Sequence, residues 1–442
     1  MSNIPMTRPE EALAIHETRY FHDSSFVQLA DGRILHSAGG RFTTSSDGGL
    51  TWSEEFTRTD SSGDPVGRHG TSLVRLSANG IGLAGMCKDP DAPTPEESAR
   101  SNHLVFWRSE DGGETWEPPV RVTPPGLPSH AYQDVLLRTA SGRLLLPVYI
   151  AIGQSSGPDD RTPPACGKLV DNQWVSTAAH FFDPRFSAVY VCYSDDDGRT
   201  WQRNRDGELM IISDWNATFS YVNEPTVAEV EPGRLLMFMR TGLGRIFQAW
   251  SSDGGETWTR PQPTSLAASP APAQIRTLPT GHLLAVWNQE SEEEVKRGYN
   301  RTRISAAISR NGGSVWEFFQ NVESLHEETR VEPGPIQPLR PSEYHFPPGL
   351  PAPEREVDHI LSAETHGRWS YPSVCVLEDR VLIAHTYSTY EEHPTRAEFI
   401  LSSRKEGGFN QKLKVLPLTW FYGGKEPADN PFLPQAYEPA RP

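Results

Sequence analysis

Long hydrophobic runs are missing from this sequence of 442 residues. Nowhere do about 18 consecutive apolar residues suggest a membrane-spanning helix. The amino-terminal stretch MSNIPMTRPEEALAIHETRY also has no apolar segment of the kind that signal peptides contain. These absences predict a protein without a membrane partner. A cytoplasmic location is the default expectation, with secretion as the alternative if a leader peptide was removed.

Cysteine and positive charge are both scarce. The four cysteines are Cys87, Cys166, Cys192 and Cys375. They form no CxxC pair or other metal-binding spacing, so we expect neither a metal site nor a disulfide framework. With 41 Lys and Arg against 57 Asp and Glu, the formal net charge is −16, which argues against nucleic acid as a partner. A few inward-facing arginines could still bind an anionic small ligand.

Turn-forming residues, by contrast, are abundant, with 39 Pro and 36 Gly. A motif of the form S-x-D-x-G-x-T-W occurs as SSDGGLTW from Ser45, SEDGGETW from Ser109, SDDDGRTW from Ser194 and SSDGGETW from Ser251. A fifth copy, SRNGGSVW, has Asn311 in place of Asp. In such a box the Asp accepts backbone N–H bonds in a tight turn, and the Trp packs back on the hairpin. We therefore expect purely structural roles for Asp47, Asp111, Asp196 and Asp253.

A second repeat consists of a strand, a short turn and another strand. Its six copies are FVQLADGRILHS, SLVRLSANGIGLAG, VLLRTASGRLLLPV, TVAEVEPGRLLMFM, AQIRTLPTGHLLAVW and SVCVLEDRVLIAHT. Together the repeats predict an all-β protein, a six-bladed β-propeller of four-stranded antiparallel blades with Asp-box hairpins. We expect residues 1–442 to form this single domain. Two inserts rich in Pro and charge, about 154–188 and 320–360, are candidates for walls of a ligand site.

Equivalent positions of the six repeats should lie at equivalent places around the propeller axis. The inner strands then open at one mouth of the axis. Five blades begin there with polar, titratable or aromatic side chains: His22 and Asp23; Arg68, His69 and Thr71; His130, Tyr132 and Gln133; Asn223 and Glu224; Ser370 and Tyr371. Such a convergent polar ring is typical of a ligand site, although propeller channels are lined by solvated polar residues in any case.

Glu224 and Arg240 form the sharpest pair in this ring. Glu224 opens one strand and Arg240 closes the next, so a hairpin should bring them to the same end. Their ion pair could be structural. In the functional alternative, the Glu withdraws a proton from a phenol and the Arg binds a ligand anion.

Over essentially the whole chain, these residues resemble the sialidase superfamily of Asp-box propeller glycosidases. In that family a Tyr–Glu pair forms the nucleophile, three arginines bind the sugar carboxylate, and a loop Asp is the general acid/base. The resemblance implies that Tyr371, in WSYPSVCVLEDRVLIAHTY, is the nucleophile. It also implies that Glu224 is its partner and Arg240 the second arginine.

Three shorter matches extend the resemblance. The run NRTRISAAISRNGGSVW is similar to the strand of the third arginine, which makes Arg301 or Arg303 the candidate. SAGGRF resembles the arginine-containing strand end before the first box and gives Arg41. DAPTPE, which begins at Asp91, resembles the loop of the acid/base.

The sequence departs from the family at its first blade. Phe21-His22-Asp23-Ser24 stands where the family has a Phe/Tyr-Arg-Ile-Pro strand with the first arginine, so the arginine clamp is incomplete. The extra histidines His22, His69 and His130, with Arg68, predict a sugar or a chemistry different from that of sialic acid. Together with Asp23 and Gln133, they are the further candidates for substrate binding.

The leading hypothesis is retaining exo-glycoside hydrolysis of a terminal, acidic sugar. Tyr371, activated by Glu224, would attack the anomeric carbon, and Asp91 or a mouth histidine would protonate the leaving oxygen. One alternative is β-elimination on a uronate-containing glycan, with His or Tyr removing the C5 proton. Another is non-catalytic glycan binding, since fold does not determine function. We expect a carbohydrate as the partner and no cofactor.

Overall fold

The architecture is known from a computed structural model, in which each of the six repeats forms its own antiparallel sheet, five of them four-stranded and the third with a fifth short strand. The structure describes residues 11–18, 24–88, 102–124, 129–154, 168–170, 173–175, 183–205, 209–210, 222–291, 294, 301–324, 326–336, 367–389, 410–431 and 433. In this part of the chain, six antiparallel sheets form the blades of a β-propeller, which confirms the predicted fold class. No helix among these residues is long and apolar enough to cross a membrane.

The strands are numbered in chain order, from β1 at Ala14–Thr18. Blade 1 contains β2 (Ser24–Gln28), β3 (Ile34–Ala38), β4 (Arg41–Ser45) and β5 (Phe56–Thr57). Blade 2 contains β6 (Ser72–Arg75), β7 (Ile81–Lys88), β8 (Asn102–Ser109) and β9 (Val120–Arg121). Blade 3 contains β10 (Leu137–Arg138), β11 (Leu144–Gln154), a separate hairpin of β12 (Lys168–Val170) and β13 (Gln173–Val175), then β14 (Asp183–Ser194), β15 (Gln202–Arg203) and β16 (Leu209–Met210).

The second half of the ring repeats the arrangement. Blade 4 contains β17 (Val222–Glu231), β18 (Arg234–Thr241), β19 (Arg245–Ser251) and β20 (Gln262–Ala267). Blade 5 contains β21 (Gln274–Thr277), β22 (Leu283–Trp287), β23 (Arg303–Ser309) and β24 (Glu317–Ser324). Blade 6 contains β25 (Gly367–Val376), β26 (Arg380–Thr389), β27 (Asn410–Pro417) and β1. Short 3-10 helices at Leu418–Tyr422 and Pro427–Asp429 follow.

The two predicted inserts begin or end inside strands. Residues 183–188 belong to β14, and residues 320–324 belong to β24, so the boundaries 154–188 and 320–360 are too wide. Two register shifts between β23 and β24 break the alternation of the outer strand, which explains why the sequence pattern concealed it. The assignment of residues 1–442 to one domain stays a prediction.

The ring closes by pairing the two ends of the described chain. Strand β1 runs antiparallel to β27, from Ala14 opposite Val415 to Thr18 opposite Gln411. Between these strands, Glu17 lies 3.5 Å from Lys412. The amino-terminal strand thus completes the last blade, a pairing that the sequence repeats did not reveal.

The Asp-boxes staple hairpins, as predicted. In the first box, the Thr51 amide donates to Oδ1 of Asp47 at 2.9 Å, and the Thr51 hydroxyl donates to Oδ2 at 2.6 Å. These bonds lower the pKa of Asp47 to about 2. In the second box, the indole of Trp116 donates to the Gly113 carbonyl at 3.0 Å while its ring is buried. The boxes therefore have a structural role.

Hydrophobic contacts hold the blades side by side. Six clusters of buried side chains each lie between two neighbouring blades: around Leu83 for blades 1 and 2, Phe106 for 2 and 3, Met237 for 3 and 4, Trp287 for 4 and 5, Ile383 for 5 and 6, and Leu413 for 6 and 1. Each sheet thus buries both faces, which is what a closed propeller requires.

At the axis, a single carboxylate joins four blades. Oδ1 of Asp134, from blade 3, accepts the Ser25 hydroxyl of blade 1 at 2.8 Å. Its Oδ2 accepts the Val374 amide of blade 6 at 2.9 Å and the Arg276 guanidinium of blade 5 at 2.6 Å. Burial raises the pKa of Asp134, and the positive charge of Arg276 opposes that rise. We call Asp134 and these three partners the axial network.

Removing the carboxylate of the axial network while keeping its partners should lower the stability of the fold. We expect Asp134→Ala to lower the free energy of unfolding by about 3–5 kcal/mol, because Arg276 loses its counter-charge in a site that is mostly buried. The double variant Asp134→Ala/Arg276→Met should be more stable than the single one. Urea unfolding followed by tryptophan fluorescence measures both. Asp379→Ala, which removes an exposed ion pair with Arg380, is the control and should cost at most about 1 kcal/mol. An equal cost for Asp134→Ala and the control would contradict this account.

A buried histidine in blade 1 predicts a pH dependence of stability. His36 lies between the hydroxyls of Ser24, at 2.9 Å, and Thr43, at 3.1 Å. Burial lowers the pKa of His36 from 6.5 to about 3. Below pH 6.5 the unfolded chain therefore binds a proton that the folded chain excludes. We expect His36 to contribute a loss of up to about 1.4 kcal/mol per pH unit as the pH falls below this value, and none above it.

Urea unfolding of the wild type and His36→Gln between pH 7.5 and 5 tests this expectation. The wild type should show a steeper decline in stability with falling pH than the variant, by about one proton. Identical pH slopes for the two proteins would show that His36 is not the titrating group.

Candidate active site

Two inner strands open at the mouth of the axis with the same backbone distortion. The pairing of β17 with β18 shifts register between Asn223 and Thr226. The pairing of β25 with β26 shifts between Ser370 and Ser373. Each bulge holds a residue with left-handed φ, 43° for Glu224 and 57° for Tyr371, followed directly by proline. The proline has no N–H to donate to the neighbouring strand, and residues other than glycine rarely adopt a left-handed φ. Glu224 and Tyr371 therefore leave the regular sheet, at equivalent positions of blades 4 and 6.

The predicted contact of Glu224 with Arg240 is present. Nη1 of Arg240 lies 2.5 Å from Oε2 of Glu224, and the side chains are only 9% and 3% exposed. Asn223 pairs with Arg240 across the hairpin, so the two charged groups meet at the mouth end of blade 4. The arrangement provides a carboxylate whose charge is balanced within the protein.

Tyr371 lies beside three other candidate residues. Its ring centroid is 5.8 Å from that of Tyr132, and the guanidinium carbon of Arg301 lies 5.2 Å from its ring centroid. Nε2 of Gln133 donates to the Tyr371 carbonyl at 3.1 Å. Burial raises the pKa of Tyr132 well above its usual value, and the negative charges of Glu224 and an ionised Tyr371 add to the rise. Tyr132 is therefore close enough to Glu224 and Tyr371 for their charges to affect its pKa.

Of the two candidates for the third arginine, Arg301 is the one beside Tyr371. Its Nη1 donates to the Ser370 hydroxyl at 2.7 Å, and its Nη2 donates to the Pro270 carbonyl at 3.1 Å. Arg303 is almost fully buried and forms an ion pair with Glu294. Arg301 therefore lies beside Tyr371 and Arg303 does not, while the assignment of either one as the third arginine stays a prediction.

Four further candidates belong to blades 1 to 3. Arg41, at the start of β4, is 58% exposed and pairs with Glu55 at 3.0 Å. Arg68 and His69 are exposed. Arg68 also acts on the neighbouring Cys87 thiol: burial raises the pKa of this thiol, and the positive charge of Arg68 opposes the rise. The His130 ring stacks on Tyr149 with centroids 5.3 Å apart.

Gln133 has a different environment from the one expected. It is 2% exposed, and Nε2 also donates to the Ser373 hydroxyl at 2.9 Å. Its backbone carbonyl accepts the side-chain amide of Gln274 at 2.9 Å. The structure therefore uses this side chain to link blades 3 and 6. His22, Asp23 and Asp91 lie outside the described residues, so their roles stay predictions.

Sequence reasoning missed Asp134 and Arg276, which lie beneath this cluster in the axial network. A charged residue just before a short inner strand was the available signal for Asp134, which also has a left-handed φ of 57°. Within the described part of the chain, no group of three or more His, Cys, Asp or Glu side chains could hold a metal ion.

Fold and site together define an Asp-box propeller of the sialidase-like kind, with a phenol, a carboxylate and guanidinium groups around one axis. The sequence profile of the BNR repeat-like domain matches residues 91–383, and the chain belongs to this family. Among curated relatives, a sialidase of Bacteroides fragilis (strain YCH46) is 25% identical in an alignment of 328 positions that covers 69% of this chain and 51% of the relative. The chain thus spans about half the length of that relative.

Solved structures show the same fold at low identity. The Hadza microbial sialidase Hz136 superimposes with a TM-score of 0.52 at 15% identity, over 93% of this chain and 67% of that one. A Dyadobacter fermentans DSM 18053 protein of unknown function gives 0.52 at 18% identity, over 94% of this chain and 100% of that one. At such identities the likeness extends to the architecture alone.

Removing Arg240 should expose how strongly the site depends on its charge balance. We expect Arg240→Met to lower the free energy of unfolding by about 3–5 kcal/mol, because it leaves the buried Glu224 carboxylate without its counter-charge. Adding Glu224→Gln should recover part of that loss. Chemical unfolding measures both variants against Arg33→Met, which removes an exposed ion pair with Asp31 and should cost at most about 1 kcal/mol. A loss no larger than that of Arg33→Met would mean that the pair is not electrostatically important.

Proposed function

We propose that this protein is a retaining glycoside hydrolase that acts on a terminal, acidic sugar at the mouth of the propeller. The observation that carries the proposal is the equivalent placement of Glu224 and Tyr371, each turned out of its strand by a bulge with left-handed φ. Tyr132 lies within electrostatic reach of both. Strained backbone at two such residues is typical of functional sites. The sialidase name of the Bacteroides fragilis relative supports the same reaction class.

The chemistry starts with activation of the phenol. A neutral tyrosine, with an ordinary pKa near 10, is a poor nucleophile, so a nearby carboxylate must take its proton. The ion pair with Arg240 occupies Oε2 of Glu224, and we assign proton acceptance to Oε1. The Tyr371 oxygen then forms a bond to the anomeric carbon as the glycosidic C–O bond breaks.

Two further steps complete turnover. An acid, for which Asp91 is the candidate, gives a proton to the leaving oxygen, so that the aglycone departs as an alcohol. Water then attacks the glycosyl-tyrosine at the anomeric carbon, loses a proton to the same carboxylate that served as the acid, and returns the phenol to Tyr371 with the aid of the proton held by Glu224. The anomeric configuration is retained because both displacements invert it.

Recognition of the substrate is assigned to the guanidinium groups. Arg240 and Arg301 lie against Glu224 and Tyr371, and Arg41 is exposed at the mouth end of blade 1. Guanidinium groups bind carboxylates through paired hydrogen bonds, which favours an acidic sugar. Because histidine and aspartate stand at positions 22 and 23, we assign an acidic sugar in general and not sialic acid in particular.

A panel of fluorogenic aryl glycosides and acidic oligosaccharides tests the proposal. On the sugar that is cleaved, we expect Tyr371→Phe to lower kcat at least ~1,000-fold, because it removes the nucleophilic oxygen, and Glu224→Gln to lower it by ~100-fold or more, because it removes the base that activates the phenol. Tyr193→Phe, which changes a phenol bonded to Glu256 away from the candidate site, is the matched control and should keep wild-type turnover.

Three outcomes would contradict the hydrolase. Full turnover by Tyr371→Phe would remove the nucleophile from the mechanism. New absorbance near 230–240 nm on a uronate polymer would identify a lyase instead. Saturable glycan binding without product under any condition would identify a binding protein.

A further inference from the structure

A run of three residues from blade 3 holds the segment that carries Tyr371. The Tyr132 hydroxyl donates to the Pro372 carbonyl at 2.7 Å, and Nε2 of Gln133 donates to the Tyr371 carbonyl at 3.1 Å. Gln133 also donates to the Ser373 hydroxyl at 2.9 Å. The next residue along, Asp134, accepts the Val374 amide, as described for the axial network. Blades 3 and 6 are opposite each other in a ring of six, so these bonds cross the axis.

The bonds meet a specific need of the bulge. Pro372 has no N–H, and the register shift between Ser370 and Ser373 takes the intervening residues out of the ladder with β26. The carbonyls of Tyr371 and Pro372 therefore find their partners across the axis. A left-handed φ at a bulky side chain persists only where the surroundings over-determine it. Two donors on two successive carbonyls provide that constraint.

Neither donor is placed to bind a ligand itself. Tyr132 is 4% exposed and Gln133 is 2% exposed. Burial raises the pKa of Tyr132 well above its usual value, so its hydroxyl keeps its proton and stays a donor over the ordinary working range of pH. The Tyr132 ring also packs against the Tyr371 ring, which limits where the phenol can point.

We infer that Tyr132 and Gln133 are positioning residues, which fix the backbone of Tyr371 so that its phenol stays aimed at the mouth of the propeller. The kinetic part of this inference rests on the proposed glycosidase function. The structural part does not, since the orientation of Tyr371 can be measured without any substrate.

The experiment uses the full chain with 3-fluorotyrosine incorporated at position 371 and observed by fluorine NMR. We compare Tyr132→Phe and Gln133→Met, each of which removes one donor while keeping the size of the side chain. Their matched controls are Tyr193→Phe and Gln202→Met, which alter a phenol and an amide that contact each other in blade 3, away from Tyr371. Urea unfolding of all four variants measures their stability.

Positioning predicts a shifted, broadened or split resonance at position 371 in Tyr132→Phe and Gln133→Met, and a wild-type resonance in both controls. On a substrate that the wild type cleaves, kcat should fall roughly 10-fold with KM within about twofold, because the nucleophile is misaligned while the binding groups stay in place. The double variant should have the largest effect on both measurements.

Two results would overturn the inference. One is an unchanged resonance in Tyr132→Phe and Gln133→Met. The other is a loss of stability in these variants with the fluorine signal and kcat as in the controls, which would mean that the contacts only hold the blades together. If the wild type cleaves no glycoside, the glycosidase proposal fails, while the fluorine signal still decides whether Tyr132 and Gln133 position Tyr371.

Discussion

The rest of the structure depends on the hydrogen bonds that the carboxylate of Asp134 accepts from three other blades. Hydrophobic contacts between blades are non-directional, and they would tolerate small slides of one sheet along another. Hydrogen bonds have narrow limits of distance and angle. Asp134 accepts hydrogen bonds from Ser25, Arg276 and the Val374 amide. These bonds fix the positions of blades 1, 5 and 6 along the propeller axis relative to blade 3. Since Val374 follows Tyr371 by only three residues, the same bonds determine where the candidate nucleophile lies.

The same kind of β-bulge occurs at two places in the candidate site. In blades 4 and 6, a polar residue followed by proline leaves the first strand through a bulge, and the strand then continues into a hydrophobic core. The core half of each strand supplies rigidity, and the bulge supplies a side-chain direction that regular alternation would not allow. Glu224 and Tyr371 can therefore face the axis without a flexible loop. Arg240 balances the charge of Glu224, and the guanidinium group of Arg301 lies against the Tyr371 ring.

What could be predicted from the sequence follows from the range of each interaction. The blade count, the Asp-box staples and the contact of Glu224 with Arg240 depend on residues close in the chain, and the repeats revealed them. Asp134 and Arg276 are 142 residues apart, so no local pattern joins them. Coordinates were needed to see which of Arg301 and Arg303 lies beside Tyr371, because this depends on where β23 begins. The sequence also did not predict the pairing of β1 with β27, because no pattern within a single strand identifies a partner that lies far away in the chain.

Closure of blade 6 by strands from opposite ends of the described chain has a consequence for synthesis. Strand β1 is synthesised before its partner β27, and all the strands of blades 1 to 5 lie between them in the chain. At translation rates of about 5–20 residues per second, the delay is on the order of 20 to 80 s. During that time blades 1 to 5 can stack in order, while β1 waits as an unpaired edge. Until β27 has been made, blade 6 lacks one of its four strands, so the ring that surrounds Glu224 and Tyr371 cannot close before that point.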